Sequence, residues 1–303
     1  MSVLSGVIPV APTVFRDDES LDLAGQLRVL DYLVDAGSDG VCILANYSEQ
    51  FSLDDAERDL ISASTLEHLG GRLPVCVAAS HYSARVARAR ALRAQELGAS
   101  LVMLMPPFYG AGVTADEESV LEYFKRVTDG LQIDVMIQDA PVCPTRLSVA
   151  LLARLAREIP QVKYVKIETP QSADTLRALV SAAGDDLPGP FDGEEGITLI
   201  PDLEAGASGT MCSSMVPDKL GPIVHRFHKG ERDGAAEDWE AVLPLIHFEN
   251  RQCGLRATKA LLQEGGIIAH DTTRAPFPAL PPHTRRQLIR LAESRDPLIL
   301  RWA

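Results

Sequence analysis

The chain has 303 residues, a length that suits two average domains or a single α/β barrel of about 250 residues with an appendage. Its 29 Lys and Arg against 42 Asp and Glu leave a net charge of −13, which repels nucleic acid and anionic membrane surfaces and favours solubility. No run of eighteen apolar residues occurs, and the opening MSVLSGVIPVAPT has neither the basic start nor the small-residue cleavage site of a signal peptide, so a cytoplasmic location is expected.

In chain order, short apolar runs alternate with helical patterns. GVIPVAPTVF, DGVCILAN, LPVCVAAS, SLVMLMPP, IDVMIQDAP, VKYVKIE, PGPFDG and ASGTMCSS each precede a helical segment. LDLAGQLRVLDYLVDAG and SARVARARALRAQELGA place apolar residues at helical spacing and close at a Gly, a common helix stop. Eight strand-then-helix units of about 25 to 30 residues are the pattern of a parallel barrel rather than an open sheet. A (β/α)8 barrel is therefore predicted over residues 1–225. Beyond it DGAAEDWEAVLPLIHFENRQ, LRATKALLQEGG and HTRRQLIRLAESR are helical, broken only by the prolines of APFPALPP, which predicts a C-terminal helical appendage over 226–303. Cys42, Cys76, Cys143, Cys212 and Cys253 form no CxxC pair, and three fall in predicted strands, so they read as reduced core thiols.

Chemistry in such a barrel sits at the C-terminal ends of the strands, with alternate side chains pointing inward. In VKYVKIE that alternation puts Tyr164, Lys166 and Glu168 on one face and Val165 and Ile167 on the other. A lysine in an apolar barrel either pairs with a carboxylate or serves as an imine-forming nucleophile, because desolvation frees its lone pair for attack on a carbonyl.

Several segments, taken in order, resemble the dihydrodipicolinate synthase and N-acetylneuraminate lyase superfamily. GVIPVAPTVF resembles the first strand, LANYSEQFSL the Gly-Thr-Thr-Gly-Glu loop, MPPFYG the Pro-Tyr-Tyr segment, YVKIE the strand that bears the Schiff-base lysine, and DGEEGITLIPDLEAGASGTMCS the last two units. The resemblance implies that Lys166 forms an imine with a 2-keto acid. It also implies that Tyr47 and Ser48 help bind the keto-acid carboxylate, that Gly193 lies against the substrate, and that Tyr109 reaches the site of a neighbouring subunit in a homotetramer of paired dimers.

Two departures narrow the reaction. The family's Tyr-Asn-Val-Pro is replaced by QDAPVCPTR, so Gln138 stands where a tyrosine relays protons. An amide orients a water or a hydroxyl but does not exchange protons near pH 7. The arginine that grips a second carboxylate in dihydrodipicolinate synthases is also out of place, since Arg146 falls three positions too far along. Aldol cleavage needs the C4 hydroxyl deprotonated, whereas dehydration takes a C3 proton acidified by the iminium and expels the C4 hydroxyl as water. The chain resembles the branch that dehydrates L-2-keto-3-deoxyarabonate to 2-oxoglutarate semialdehyde. In that reading Lys166 is the nucleophile, Glu168 moves protons directly or through water, and Gln138 orients the water or the leaving hydroxyl.

A 2-keto-3-deoxy sugar-acid aldolase, opposed by Gln138, remains an alternative. So does a 5-keto-4-deoxyglucarate dehydratase, which needs a second cationic grip, and so does a keto-acid sensor that never turns substrate over. No cofactor is required if the imine is the electron sink. His225 and His228, three apart on a helix without a third ligand, do not make a metal site.

Overall fold

A computed structural model describes residues 4–110 and 113–303. Its strands are β1 Gly6–Val7, β2 Val41–Ile43, β3 Val75–Ala78, β4 Leu101–Leu104, β5 Phe108–Tyr109, β6 Val113–Thr114, β7 Asp134–Asp139, β8 Val162–Ile167, β9 Gly189–Asp192 and β10 Gly209–Thr210. Its helices are α1 Leu23–Asp35, α2 Asp55–Leu69, α3 Ala84–Glu96, α4 Glu117–Thr128, α5 Val149–Glu158, α6 Ser172–Ala183, α7 Leu199–Glu204, α8 Pro217–His228, α9 Arg232–Phe248, α10 Arg256–Glu264 and α11 Pro282–Glu293. Each of the eight predicted strand runs contains one strand, and every labelled element after Thr210 is helical. The antiparallel ribbon β5–β6 interrupts the alternation and was not foreseen.

The chain divides into two compact units. The first is built mainly from Pro74–Glu194 and Thr198–Met211, the second from Gly6–Leu73 and Cys212–Ala303 with the short segment Glu195–Ile197. In the first unit six strands lie side by side in the order β10-β9-β8-β7-β4-β3, all parallel. Both faces of β4, β7 and β8 are largely buried, which is why these runs read as near-continuous apolar segments. Helices between them start on side-chain caps: Asp116 accepts from the Ser119 amide at α4, and Ser148 from the Leu151 amide at α5.

In the second unit the backbone of residues 9–11 runs parallel to its neighbours on both sides. Cys42 N–H donates to Pro9 O at 2.9 Å and Ala11 N–H to Cys42 O at 2.8 Å, while Val10 N–H donates to Cys212 O at 2.7 Å. A reciprocal capping box between Asp54 and Glu57 starts α2. Helix α9 runs into a π turn, Glu249–Cys253, that buries Glu249. His225 faces Asp39 at 3.0 Å. All five cysteines are buried and free, and among the described residues no helix is long and apolar enough to cross a membrane.

Candidate active site

The register of the first unit decides which side chains meet. Gln138 of β7 lies beside Lys166 of β8 in the parallel ladder, and residues paired this way point to the same face. Glu168, two residues beyond Lys166, continues that face just past the strand end. The predicted alternation is met: Lys166 Nζ stands 2.6 Å from Glu168 Oε1, with side chains 5% and 14% exposed.

Gln138 Nε2 donates to the same carboxylate oxygen at 2.6 Å. That bond fixes the amide orientation, because the flipped amide would set its oxygen against the carboxylate. Its other atom, Oε1, is buried and has no hydrogen-bond partner among the described residues. A buried acceptor left unpaired costs about 1 to 3 kcal/mol. The arrangement is thus an acceptor held ready for a hydroxyl or a water beside a lysine and a carboxylate.

Gly193 closes the group. Its N–H donates to Ile167 O at 2.9 Å. A Cβ there would meet Glu168 Cγ at 2.6 Å, Lys166 Cγ at 2.7 Å and Ile167 O at 2.9 Å. Only glycine lets the backbone lie this close to both side chains.

Buried acids that the sequence reading missed stand behind this face. Asp139 Oδ2 accepts from the Thr169 hydroxyl at 2.8 Å, and Glu168 N–H donates to Asp139 O at 3.1 Å, so the two strand ends are tied where Gln138 meets Glu168. Burial raises the Asp139 carboxyl above its ordinary range, with the Glu168 charge adding to the shift, while the Thr169 bond and exposed Arg146 oppose it. Asp192, next to Gly193, is fully buried and accepts from the Thr210 hydroxyl at 2.5 Å and the Glu194 amide at 3.2 Å. Burial first, and then the neighbouring Asp202 charge, raise its carboxyl. Asp202 is held in turn by Ser172 at 2.9 Å and Thr198 at 2.7 Å. PGPFDG announced a strand and a turn. The need of that buried Asp for hydroxyl partners was the one available hint.

Tyr109 sits on the β5–β6 ribbon, 70% exposed, its ring centroid 5.6 Å from that of Tyr82. It is therefore not an interior packing residue. In the second unit, Tyr47 and Ser48 belong to a 3-10 turn, Asn46–Ser48, and Tyr47 is half-buried. Ser48 is buried. Its hydroxyl donates to Ala11 O at 2.6 Å, and its carbonyl accepts from Thr13 at 2.7 Å. Sequence reasoning also missed Lys259 on α10, which is fully buried and bonded to Glu49. A lone lysine among Ala257, Ala260 and Leu261, all buried, is the same signal that singled out Lys166.

The dihydrodipicolinate synthetase family model matches residues 3–294. An L-2-keto-3-deoxyarabonate dehydratase from Azospirillum brasilense is 52% identical over 298 residues, spanning 98% of this chain and 96% of its own. The crystal structure of dihydrodipicolinate synthase from Rhodopseudomonas palustris superposes with a TM-score of 0.87 at 25% identity, over 96% of this chain and 97% of that one. A monomeric dihydrodipicolinate synthase variant superposes with a TM-score of 0.89 at 21% identity, over 97% of each chain.

Proposed function

Because the chain belongs to the dihydrodipicolinate synthetase family, we infer that it dehydrates L-2-keto-3-deoxyarabonate to 2-oxoglutarate semialdehyde, a step of L-arabinose catabolism. Lys166 Nζ adds to C2 of the keto acid and expels water to form an iminium. Glu168, at 2.6 Å from that nitrogen, takes the C3 proton that the iminium acidifies. The C3–H electrons form the C3–C4 double bond as the C4 hydroxyl departs, and the proton leaves with it as water. Loss of a C5 proton and gain of one at C3 leave the C4–C5 enol, which passes its hydroxyl proton to solvent and takes one at C4 to become the aldehyde. Hydrolysis of the imine then releases the product and frees Lys166. Every electron shift runs through the imine, so no cofactor takes part.

One observation carries the choice of dehydration over aldol cleavage. Gln138 holds Glu168 through its amide N–H and keeps an unpartnered oxygen beside it. That oxygen accepts from the C4 hydroxyl or from a water and orients it. An amide does not deprotonate that hydroxyl, as aldol cleavage requires.

The remaining roles follow the family pattern. Gly193 keeps room for the iminium. The substrate carboxylate is assigned to Tyr47 and the Ser48 loop. Ser48's own proton is given to Ala11 O at 2.6 Å. The exposed Tyr109 suits a role at a neighbouring subunit of a homotetramer of paired dimers. The expected (β/α)8 barrel over 1–225 with helices over 226–303 and a cytoplasmic location complete the proposal, the latter in keeping with five free, buried thiols.

Borohydride reduction with L-2-keto-3-deoxyarabonate, peptide mapping and a semialdehyde assay test it. A reduced adduct on Lys166 with semialdehyde formed is the expected result. An adduct with pyruvate released moves the assignment to an aldolase. No adduct from a folded sample removes the imine and leaves a binding protein.

A further inference from the structure

We propose that Lys259 and Glu49 form a positioning pair that sets the shape of the Tyr47–Ser48 loop, and through it the affinity for the substrate carboxylate. The inference rests on the proposed role of that loop.

The observations lie within the second unit. Lys259 Nζ is bonded to Glu49 Oε1, and the two side chains are 1% and 0% exposed. Nζ also donates to Thr272 O at 2.8 Å and stands 4.4 Å from the centroid of the Phe15 ring. The other Glu49 oxygen accepts from the Arg274 amide at 2.9 Å. Arg274 itself is clamped, its guanidinium donating to Glu57 at 2.6 and 2.5 Å, to Ser52 O at 2.8 Å and to Glu19 O at 3.0 and 2.8 Å. Both Glu49 oxygens are thus gripped from the C-terminal segment.

Glu49 needs that grip because its backbone is left-handed, with φ of 57°. A non-glycine residue there is strained by about 1 to 2 kcal/mol, and persists where its surroundings over-determine it. Glu49 is the joint between two 3-10 turns, Asn46–Ser48 and Gln50–Ser52, so its backbone angles set where Tyr47 and Ser48 stand.

Stability is a poor explanation for such a pair. Burial opposes the charge on Lys259, and only Glu49 and a more distant carboxylate restore it. Apolar replacement of both members of a buried ion pair is often neutral or stabilising. What carboxylate and ammonium supply, and apolar side chains do not, is direction: three hydrogen bonds and a ring contact that hold one backbone joint.

The test is the pyruvate dependence of borohydride labelling at Lys166, with thermal unfolding alongside, for the wild type, E49Q and the double variant E49M/K259M. Expected are a half-saturating pyruvate concentration raised about tenfold or more in both variants, an unchanged labelling plateau, and a double variant that unfolds within a few degrees of the wild type. A folded double variant with half-saturation within about twofold of wild type would overturn the proposal. So would a double variant that does not fold, since the pair would then serve folding. Absence of labelling in the wild type with both pyruvate and L-2-keto-3-deoxyarabonate is a different result, because it removes the imine itself.

Discussion

The two units each bury a lysine against a glutamate, and they finish the pair differently. In the second unit Lys259 and Glu49 are sealed, with a backbone carbonyl and an aromatic face around the ammonium and a backbone amide on the second carboxylate oxygen. In the first unit the Lys166–Glu168 pair keeps a side-chain exposure of 5% and 14%, lies under a glycine with no room for a Cβ, and shares its carboxylate with an amide whose other end is unpartnered. In the proposed reading the same two residue types serve as a brace in the second unit and as a reaction centre in the first, where an amide oxygen has no partner among the described residues. Burial of a lysine therefore does not mark a nucleophile. On the proposed reading, the unfinished hydrogen bonding beside Lys166 is what sets it apart.

Exchanging the lysines one at a time is the strongest way to break this comparison. Lys166→Met is expected to abolish both labelling and turnover, a loss of at least about 10⁴-fold, because no other group replaces the imine. Lys259→Met should leave Lys166 labelled at saturating keto acid but cost about 3 to 5 kcal/mol of stability, since Glu49 is left buried without its counter-charge. Chemical denaturation and labelling stoichiometry read both. Equal labelling losses would dissolve the distinction.

Glu168→Gln separates holding from proton transfer. As an amide it still accepts from Lys166 and Gln138, yet it cannot carry the C3 proton, so kcat should fall about 10² to 10⁴-fold while labelling at saturation persists. Gly193→Ala asks for space rather than chemistry. With contacts of 2.6 to 2.9 Å waiting for the new Cβ, displacement of Lys166 or Glu168 should lower kcat about 10²-fold. Gln138→Leu removes both the donor to Glu168 and the open acceptor, and about a tenfold loss in kcat with little change in labelling is expected. Steady-state kinetics of semialdehyde formation rank the three.

How much of this was legible depended on sequence distance. The face shared by Lys166 and Glu168 follows from the period of a strand, a local regularity, whereas Gln138 was singled out by the resemblance, which set it at the family's tyrosine position. Glu49 and Lys259 are 210 positions apart, and no local rule pairs a loop residue with a lysine on an amphipathic helix. The acids behind the face were hidden for another reason. Asp139 and Asp192 occupy strand ends where an acid reads as turn chemistry, and only the packing of Thr169 and Thr210 against them shows that they are buried and hydroxyl-bonded. The β5–β6 ribbon has two residues per strand, too few for any periodicity.

Glu249 supplies the missing control, a change in stability without one in catalysis: a buried glutamate bonded to hydroxyls in place of a lysine. It is fully buried in the π turn after α9, with Thr258 Oγ1 at 3.4 Å and Ser213 as its hydroxyl partners. Burial outweighs those hydrogen bonds and pushes its carboxyl up to about 8. An acid whose folded value lies above its unfolded one binds its proton more tightly in the native state. Stability from this group is therefore intact below the unfolded value of 4.5, declines as pH rises, and reaches its full penalty above about 8. Glu249→Gln keeps the shape and removes the proton, so its unfolding free energy should match wild type near pH 5 and exceed it above pH 8, by a difference on the order of a few kcal/mol. Denaturation across that range measures it. A wild-type profile as flat as that of the variant would mean that Glu249 has a counter-charge after all, and that a buried glutamate in this chain always comes with a cation.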